Sequence, residues 1–238
     1  MMHPAINCIG VFIAAIVSGA TGFAFPLIAT PIFLIDYAPP QAILITSLCS
    51  LSGQLLSIHL LRQTLTYEIR WPLIFAGLFG VPFGTFALLW CDGRIIRLGL
   101  GALLAICGAW RLWGAGRGCF RACHSERVIG VCGGLCGGMF GVSSAIPAIW
   151  LAMSGLDKTK QRAILQPYII AVQYASLLVL LYNGIFTATV WQALELYLPP
   201  LVAGIFVGTF SFRLFSSEAY ARAVSGLVML SGFALFLH

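Results

Sequence analysis

The sequence predicts an all-α integral membrane protein made of two inverted repeats, each a broken, re-entrant helical hairpin followed by three transmembrane helices. Three observations lead there. Apolar residues make up 60% of the 238-residue chain and charged residues only 8%, and the mean hydropathy is +0.99. A soluble domain carries roughly a quarter charged residues, so lipid must cover most of this surface. Six apolar runs have spanning length, and two more are interrupted by glycine and proline at corresponding places in the two halves.

A spanning helix needs about 20 apolar residues. The runs 40–61, 71–91, 95–113, 163–182, 189–212 and 220–237 each satisfy that length. The runs 5–35 and 128–156 are too long for one straight span and short for two. Gly19, Gly22, Pro26 and Pro31 interrupt the first; Gly137, Gly138, Gly141 and Pro147 interrupt the second. Each therefore reads as two short helices, folded as a hairpin or as two half-depth passes. Backbone freed at such a break is tolerated only where protein or a water-filled cavity surrounds it. The start, Met1-Met2-His3-Pro4, lacks the basic stretch and small-residue cleavage site of a signal peptide, so the first run is expected to be retained.

Charge counting selects between the two shapes. If each interrupted run crossed once, the thirteen Lys and Arg would divide six to seven across the membrane. If each returns to the face it left, Arg62, Arg70, Arg111, Arg117, Arg121, Arg127, Lys158, Lys160, Arg162, Arg213 and Arg222 share one face. Only Arg94 and Arg97 then lie on the other. Such a bias is the positive-inside signature. The net charge of +6 thus reads as cytoplasmic connections rather than a nucleic-acid face. Both termini are expected outside.

An odd number of full crossings per half turns the second half upside down. The expected division is 1–113 for the first repeat, 114–127 for a basic cytoplasmic connection and 128–238 for the second repeat. Other correspondences support the duplication. Ala42-Ile43-Leu44 matches Ala163-Ile164-Leu165; Gly80, Gly84 and Thr85 match Gly204, Gly208 and Thr209; Arg97 and Gly101 match Arg222 and Gly226. Two interrupted hydrophobic segments in corresponding positions are a pointer to a transporter's binding site. Gly77, Gly80, Gly84, Gly204, Gly208, Gly130, Gly134 and Gly138 lie at helical spacings, where small residues let helices approach closely.

At a helix break the following half-helix presents unpaired N–H groups and a partial positive charge, which suits an anion. Neither broken run contains Lys or Arg, so amides, hydroxyls and dipoles would hold that anion. The candidates are Thr21, Gly22 and Phe23 in one half and Gly141, Val142, Ser143 and Ser144 in the other. The plainer reading of the serines is a helix cap. The neighbouring runs add Thr46, Ser47, Ser50, Ser52, Gln54, Gln166, Gln173 and Ser176 at membrane depth, where polar groups face an interior or cavity. Gln54 and Gln173 occupy near-equivalent repeat positions, and their amides can donate to an oxyanion.

His59 and Glu195 are candidates for a coupling proton or cation, although both fall near span ends, where an interfacial position is the plainer reading. Trp71, Trp90, Trp110, Trp113 and Trp191 read as interface anchors. The eight cysteines sit mostly in apolar runs. Cys119-x3-Cys123-His124 lacks the second ligand pair of a zinc site, and no metal or other cofactor is expected.

Thr21-Gly-Phe-Ala-Phe-Pro-Leu-Ile-Ala-Thr-Pro31 resembles the first-repeat signature of the sulfite exporter TauE/SafE family. Gly141 through Pro147, followed by Ser154-Gly-Leu-Asp-Lys-Thr-Lys-Gln-Arg-Ala163, resembles the second. The two Gly-x3-Gly-Thr patterns fit the later helices. Two departures stand out: Phe23-Ala24-Phe25 and Val142-Ser143-Ser144-Ala145 replace glycine clusters. The residues read as a secondary anion transporter, and the resemblance implies one that moves sulfite, thiosulfate or organosulfonate-type anions across the bacterial inner membrane, often as export. Its implied partners are the lipid bilayer and a small anion.

Two other readings stay open. An anion channel or accessory subunit would show the same pattern. A membrane thiol oxidoreductase would want Cys-x-x-Cys, and the chain offers only Cys-x3-Cys at 119/123 and 132/136. No P-loop motif occurs, and no enzymatic activity is expected.

Overall fold

The computed structural model describes residues 4–61, 68–113, 125–154 and 156–211. Among them lie nine helices: α1 (Pro4–Thr21), α2 (Phe25–Asp36), α3 (Pro39–Leu61), α4 (Trp71–Trp90), α5 (Gly93–Trp113), α6 (Glu126–Phe140), α7 (Ala145–Met153), α8 (Lys158–Tyr182) and α9 (Ala188–Ser211). No strand occurs among the described residues. Four helices, α3, α4, α8 and α9, are long and apolar enough to cross a membrane. Helix α5 has 21 residues but carries Arg94, Arg97 and Arg111. The predicted run 220–237 and the cluster Cys119, Cys123 and His124 lie outside the described residues.

Both interrupted runs break, each at one place. Helix α1 stops at Gly22 (φ 85°) and α6 at Gly141 (φ 70°), a left-handed conformation that costs glycine nothing sterically. Gly141 donates its N–H to Gly137 O at 3.0 Å, and Val142 donates to Cys136 O at 3.3 Å, closing the helix end. The prolines do not break anything. Pro26 and Pro147 sit in the first turns of α2 and α7, where no intrahelical N–H is needed, and Pro31 stays inside α2. Gly19, Gly137 and Gly138 also remain helical.

Each broken run doubles back. Asn7 Nδ2 donates to Asp36 Oδ2 at 2.8 Å, and Gly10 faces Ile32. Likewise Gly133 faces Pro147 and Gly137 faces Ser143. In both hairpins one number rises as the other falls, the mark of antiparallel packing.

The first arm of each hairpin packs in parallel on a helix of the other half. Gly80 faces the main chain of Val131 and Leu135, as Gly204 faces that of Phe12 and Ile16. Gly84 lies against Leu135 as Gly208 lies against Ile16, and Gly138 meets Val81 and Thr85 as Gly19 meets Ile205 and Thr209. The α4–α6 and α1–α9 interfaces thus repeat each other residue for residue. Backbone touches backbone in both because the side chain between them is missing. Arg70 pairs with Glu126 and Glu68 at one end of the α4–α6 pair. Asn7 Nδ2 donates to the Tyr197 hydroxyl at the equivalent end of α1–α9.

The polar surface is small and the outer surface apolar. Trp71, Phe75, Phe79, Phe83, Phe86 and Trp90 form an exposed ladder down α4, with stacked pairs at both ends. Such a face suits lipid. His59, Ser52 and Glu195 are also exposed rather than interior. Inside, α2, α3, α7 and α8 enclose the two breaks.

Gly84→Ala and Gly208→Ala each place a Cβ on partner backbone that has nowhere to move, so each is expected to destabilise by about 3 kcal/mol. Gly184→Ala serves as control. Gly184 has φ 70° but nothing within 4 Å of an added Cβ, leaving about 1–2 kcal/mol of backbone strain. Thermal unfolding in detergent should rank the three in that order.

Candidate functional site

The two breaks meet. Ser144 Oγ donates to Phe23 O at 3.1 Å, joining the turn after α6 to the turn after α1. Gln54 Nε2 donates to Gly22 O at 2.6 Å, and Gln166 Nε2 donates to Gln54 Oε1 at 2.9 Å. Gly22, Phe23, Gln54, Ser144 and Gln166 therefore form one connected buried network. Gln173 belongs to the same helix crossing but uses a different partner, donating to Ser50 Oγ at 3.0 Å. Of the two glutamines at near-equivalent repeat positions, Gln54 meets Gln166 and Gln173 meets Ser50.

Helices α3 and α8 carry this network because of their phase. Ser50, Gln54 and Ser57 lie at spacings of four and three on α3; Arg162, Gln166 and Gln173 lie at four and seven on α8. Those spacings put each trio on one helical face. The faces cross antiparallel, pairing 57 with 162, 54 with 166 and 50 with 173. Helix α8 begins at an exposed cap. Asp157 caps α8 by accepting from the Lys160 N–H at 2.7 Å.

The two breaks differ in how their polar groups are satisfied. At the first, Thr21 Oγ1 donates to Val17 O at 2.8 Å and accepts from the amides of Phe23 and Ala24 at 3.3 and 3.2 Å. Thr21 thus holds the turn that precedes α2, and those amides are occupied. At the second, the Gly141 and Val142 amides are taken by α6. Ser144 makes no cap and turns its hydroxyl to the other break. The amides of Ser143 and Ala145 donate to no described group, and Ser143 Oγ is buried without a partner. Thr30, Thr46 and Ser47 hydroxyls and the Gln166 and Gln173 carbonyl oxygens are also buried and unpartnered. Thr30 Oγ1 lies beside Gly141.

A cation enters this site that charge counting had assigned to a surface connection. Arg162 is 1% exposed. Its Nη2 donates to Ser57 Oγ, and its Nε, Cγ and Cδ lie within 3.0 Å of where a Cβ on Gly22 would sit. The expectation of amides, hydroxyls and dipoles alone is therefore corrected. The broken runs hold no cation themselves, but α8 delivers one to the first break. The signal was available in the four- and seven-residue spacings that join Arg162 to Gln166 and Gln173.

Unpartnered hydroxyls and amides at the second break can hold an oxyanion, since N–H and O–H groups donate. Among the described residues no group of three metal-ligand side chains occurs. The network also predicts its own weak point. Gln54→Ala strands both Gly22 O and Gln166 Nε2 and is expected to cost about 1–3 kcal/mol. Gln173→Ala strands a serine hydroxyl that can turn elsewhere, and should cost less. Thermal unfolding of the two variants side by side checks this ranking.

Comparison with curated proteins and with solved structures found no match. A family model does match, over residues 7–235, nearly the whole chain, and its description is sulfite exporter TauE/SafE. With its apolar helices and buried polar centre, the chain is a membrane transport protein and belongs to the TauE/SafE sulfite exporter family.

Proposed function

We propose that the protein is a secondary carrier that exports small sulfur-containing anions, such as sulfite, thiosulfate or organosulfonates, by alternating access around the two breaks. The observation that carries this reading is the meeting of the breaks. A substrate between them would touch both halves of the fold at once, as a site at a repeat interface requires. The unpartnered Ser143 hydroxyl and the amides of Ser143 and Ala145 would take the oxyanion. Gln54, Gln166 and Gln173 would orient it. Gly22, Phe23, Gly141 and Val142 shape the floor, and Thr21 and Ser144 hold the two turns in place.

The inverted repeat belongs to this proposal, with halves 1–113 and 128–238 joined by 114–127. Matching α4–α6 and α1–α9 interfaces support it. So does the antiparallel crossing of α3 and α8, which carry the corresponding Ala-Ile-Leu triplets. In this reading the basic face is cytoplasmic in a bacterial inner membrane and both termini are outside. Burial of the whole network favours a carrier caught closed over a continuously open channel. A coupling proton or cation would drive the cycle.

Purified protein in liposomes is expected to move sulfite at a saturable rate. Gln54→Ala should raise the KM about tenfold, the effect of losing one hydrogen bond worth about 1.4 kcal/mol. Replacing every cysteine should leave flux intact; loss of flux would instead support thiol chemistry. Flux rising linearly with concentration would mark a channel, and no flux in any orientation would leave an accessory role.

A further inference from the structure

The hydrogen bonds that close the first break run in one fixed sense. Gly22 O can only accept, so it turns the amide nitrogen of Gln54 toward itself. Gln54 Oε1 is then left facing α8, and Gln166 answers it with Nε2. The Gln166 oxygen comes last in this chain. It is buried without a partner, in a residue 0% exposed, and turning the amide over would set oxygen against oxygen at Gln54. Gln173 is not fixed in this way, because the Ser50 hydroxyl that it meets can donate or accept. The hydroxyls of Thr30, Thr46, Ser47 and Ser143, also buried and unpartnered, are free to do either. One group at the centre therefore has a fixed demand: Gln166 Oε1 needs a donor. It lies on a short path through the meeting of the breaks, from Gln166 by Gln54, Gly22, Phe23 and Ser144 to Ser143.

We propose that the site takes an oxyanion that itself carries a donor: hydrogensulfite rather than the sulfite dianion, with its proton on Gln166 Oε1 and its charged oxygens on the hydroxyls. This rests on the anion-carrier reading and deepens it. An anion that turns bare oxygens to Gln166 meets a carbonyl oxygen and leaves a buried acceptor unanswered, which is costly. The proton of the cycle then crosses on the substrate. The protein offers it no other carrier inside, since no Asp, Glu or His among the described residues is buried. The buried or half-buried titratable groups around Gln166 are Arg162 and Tyr168 on α8, Cys49 on α3, and Cys132 and Cys136 on α6. Helices α4 and α7 bring none, and Asp36 and Glu126 stand at the ends of α2 and α6 away from the breaks. A guanidinium favours the more highly charged anion, so a preference for the protonated form has to come from Gln166.

The test measures binding to full-length protein in detergent, by thermal stabilisation, and flux in liposomes. Its probes are sulfite and two fixed monoanions of similar size, hydroxymethanesulfonate with an O–H and ethanesulfonate without one. Hydroxymethanesulfonate should bind at least about tenfold more tightly than ethanesulfonate, as expected where a site is built to meet a donor. The Kd for total sulfite should rise about tenfold per pH unit once sulfite loses its last proton, while neither sulfonate follows pH. In that range each sulfite leaving a liposome should take one proton with it, so the lumen becomes more alkaline. Gln166→Leu removes the oxygen and should bring the two sulfonates to within about twofold and flatten the sulfite profile. A merely structural role would weaken all three anions alike and keep both the ratio and the slope. Equal affinity for the two sulfonates in the wild type would mean that water answers Gln166 Oε1, and overturns the proposal. So does a sulfite Kd that is flat or falls as pH rises, or a ratio that survives in folded Gln166→Leu. If that variant does not fold, the wild-type comparisons decide alone. Absence of flux would overturn the carrier reading, and the same ratio and slope in binding would still uphold the protonated-anion site. No stabilisation by any of the three anions overturns both.

Discussion

A hydrogen-bonding group that a helix break frees inside a bilayer is costly unless protein, water or a ligand answers it, because lipid offers no partner. This constraint organises the centre of the molecule. The carbonyls of Gly22 and Phe23 leave the helical pattern, and Gln54 and Ser144 meet them. The amides of Phe23 and Ala24 leave it too, and Thr21 folds back to accept both. A glutamine recruited to a carbonyl needs its own oxygen answered, which places Gln166 beside Gln54. The polar network is thus the consequence of two left-handed glycines, traced outward bond by bond.

The second constraint is separation between backbones. Along α4–α6 and α1–α9 the glycines remove the side chains that would hold the helices apart. Association within lipid relies on such close contact because burying apolar surface there gains little. The hairpins are thereby fixed at their long arms, while the short arms α2 and α7 remain engaged with the polar centre.

Much of this was legible in the residues and some was not. Apolar runs at 40–61 and 71–91 become α3 and α4 within a residue or two, because length and apolarity are what a bilayer selects. The doubling back of both broken runs followed from where arginines and lysines fall. The exact break positions did not, since glycine tolerates a helix as well as a turn and a first-turn proline starts a helix. Ser143 and Ser144 have the residue type of caps, but neither caps α7: Ser144 reaches across to Phe23, and at the first break Thr21 holds the turn amides instead. Arg162 was misread for a related reason. Assigning charges by loop membership ignores helical phase, and phase alone separates it from Lys158 and Lys160.

The crossed pairing of helices has a consequence for how the chain is made. Helix α4 meets its partner α6 within about fifty residues, but the glycine face of α1 waits for Gly204 and Gly208, nearly two hundred residues later. At about 5–20 residues per second of synthesis, that wait lasts on the order of ten to forty seconds. During it the α1–α2 hairpin, with its opened backbone at Gly22, sits in the membrane without its main support. The first hairpin is thus completed only by one of the last described helices, and α1 has no substitute for that backbone-to-backbone contact earlier in the chain.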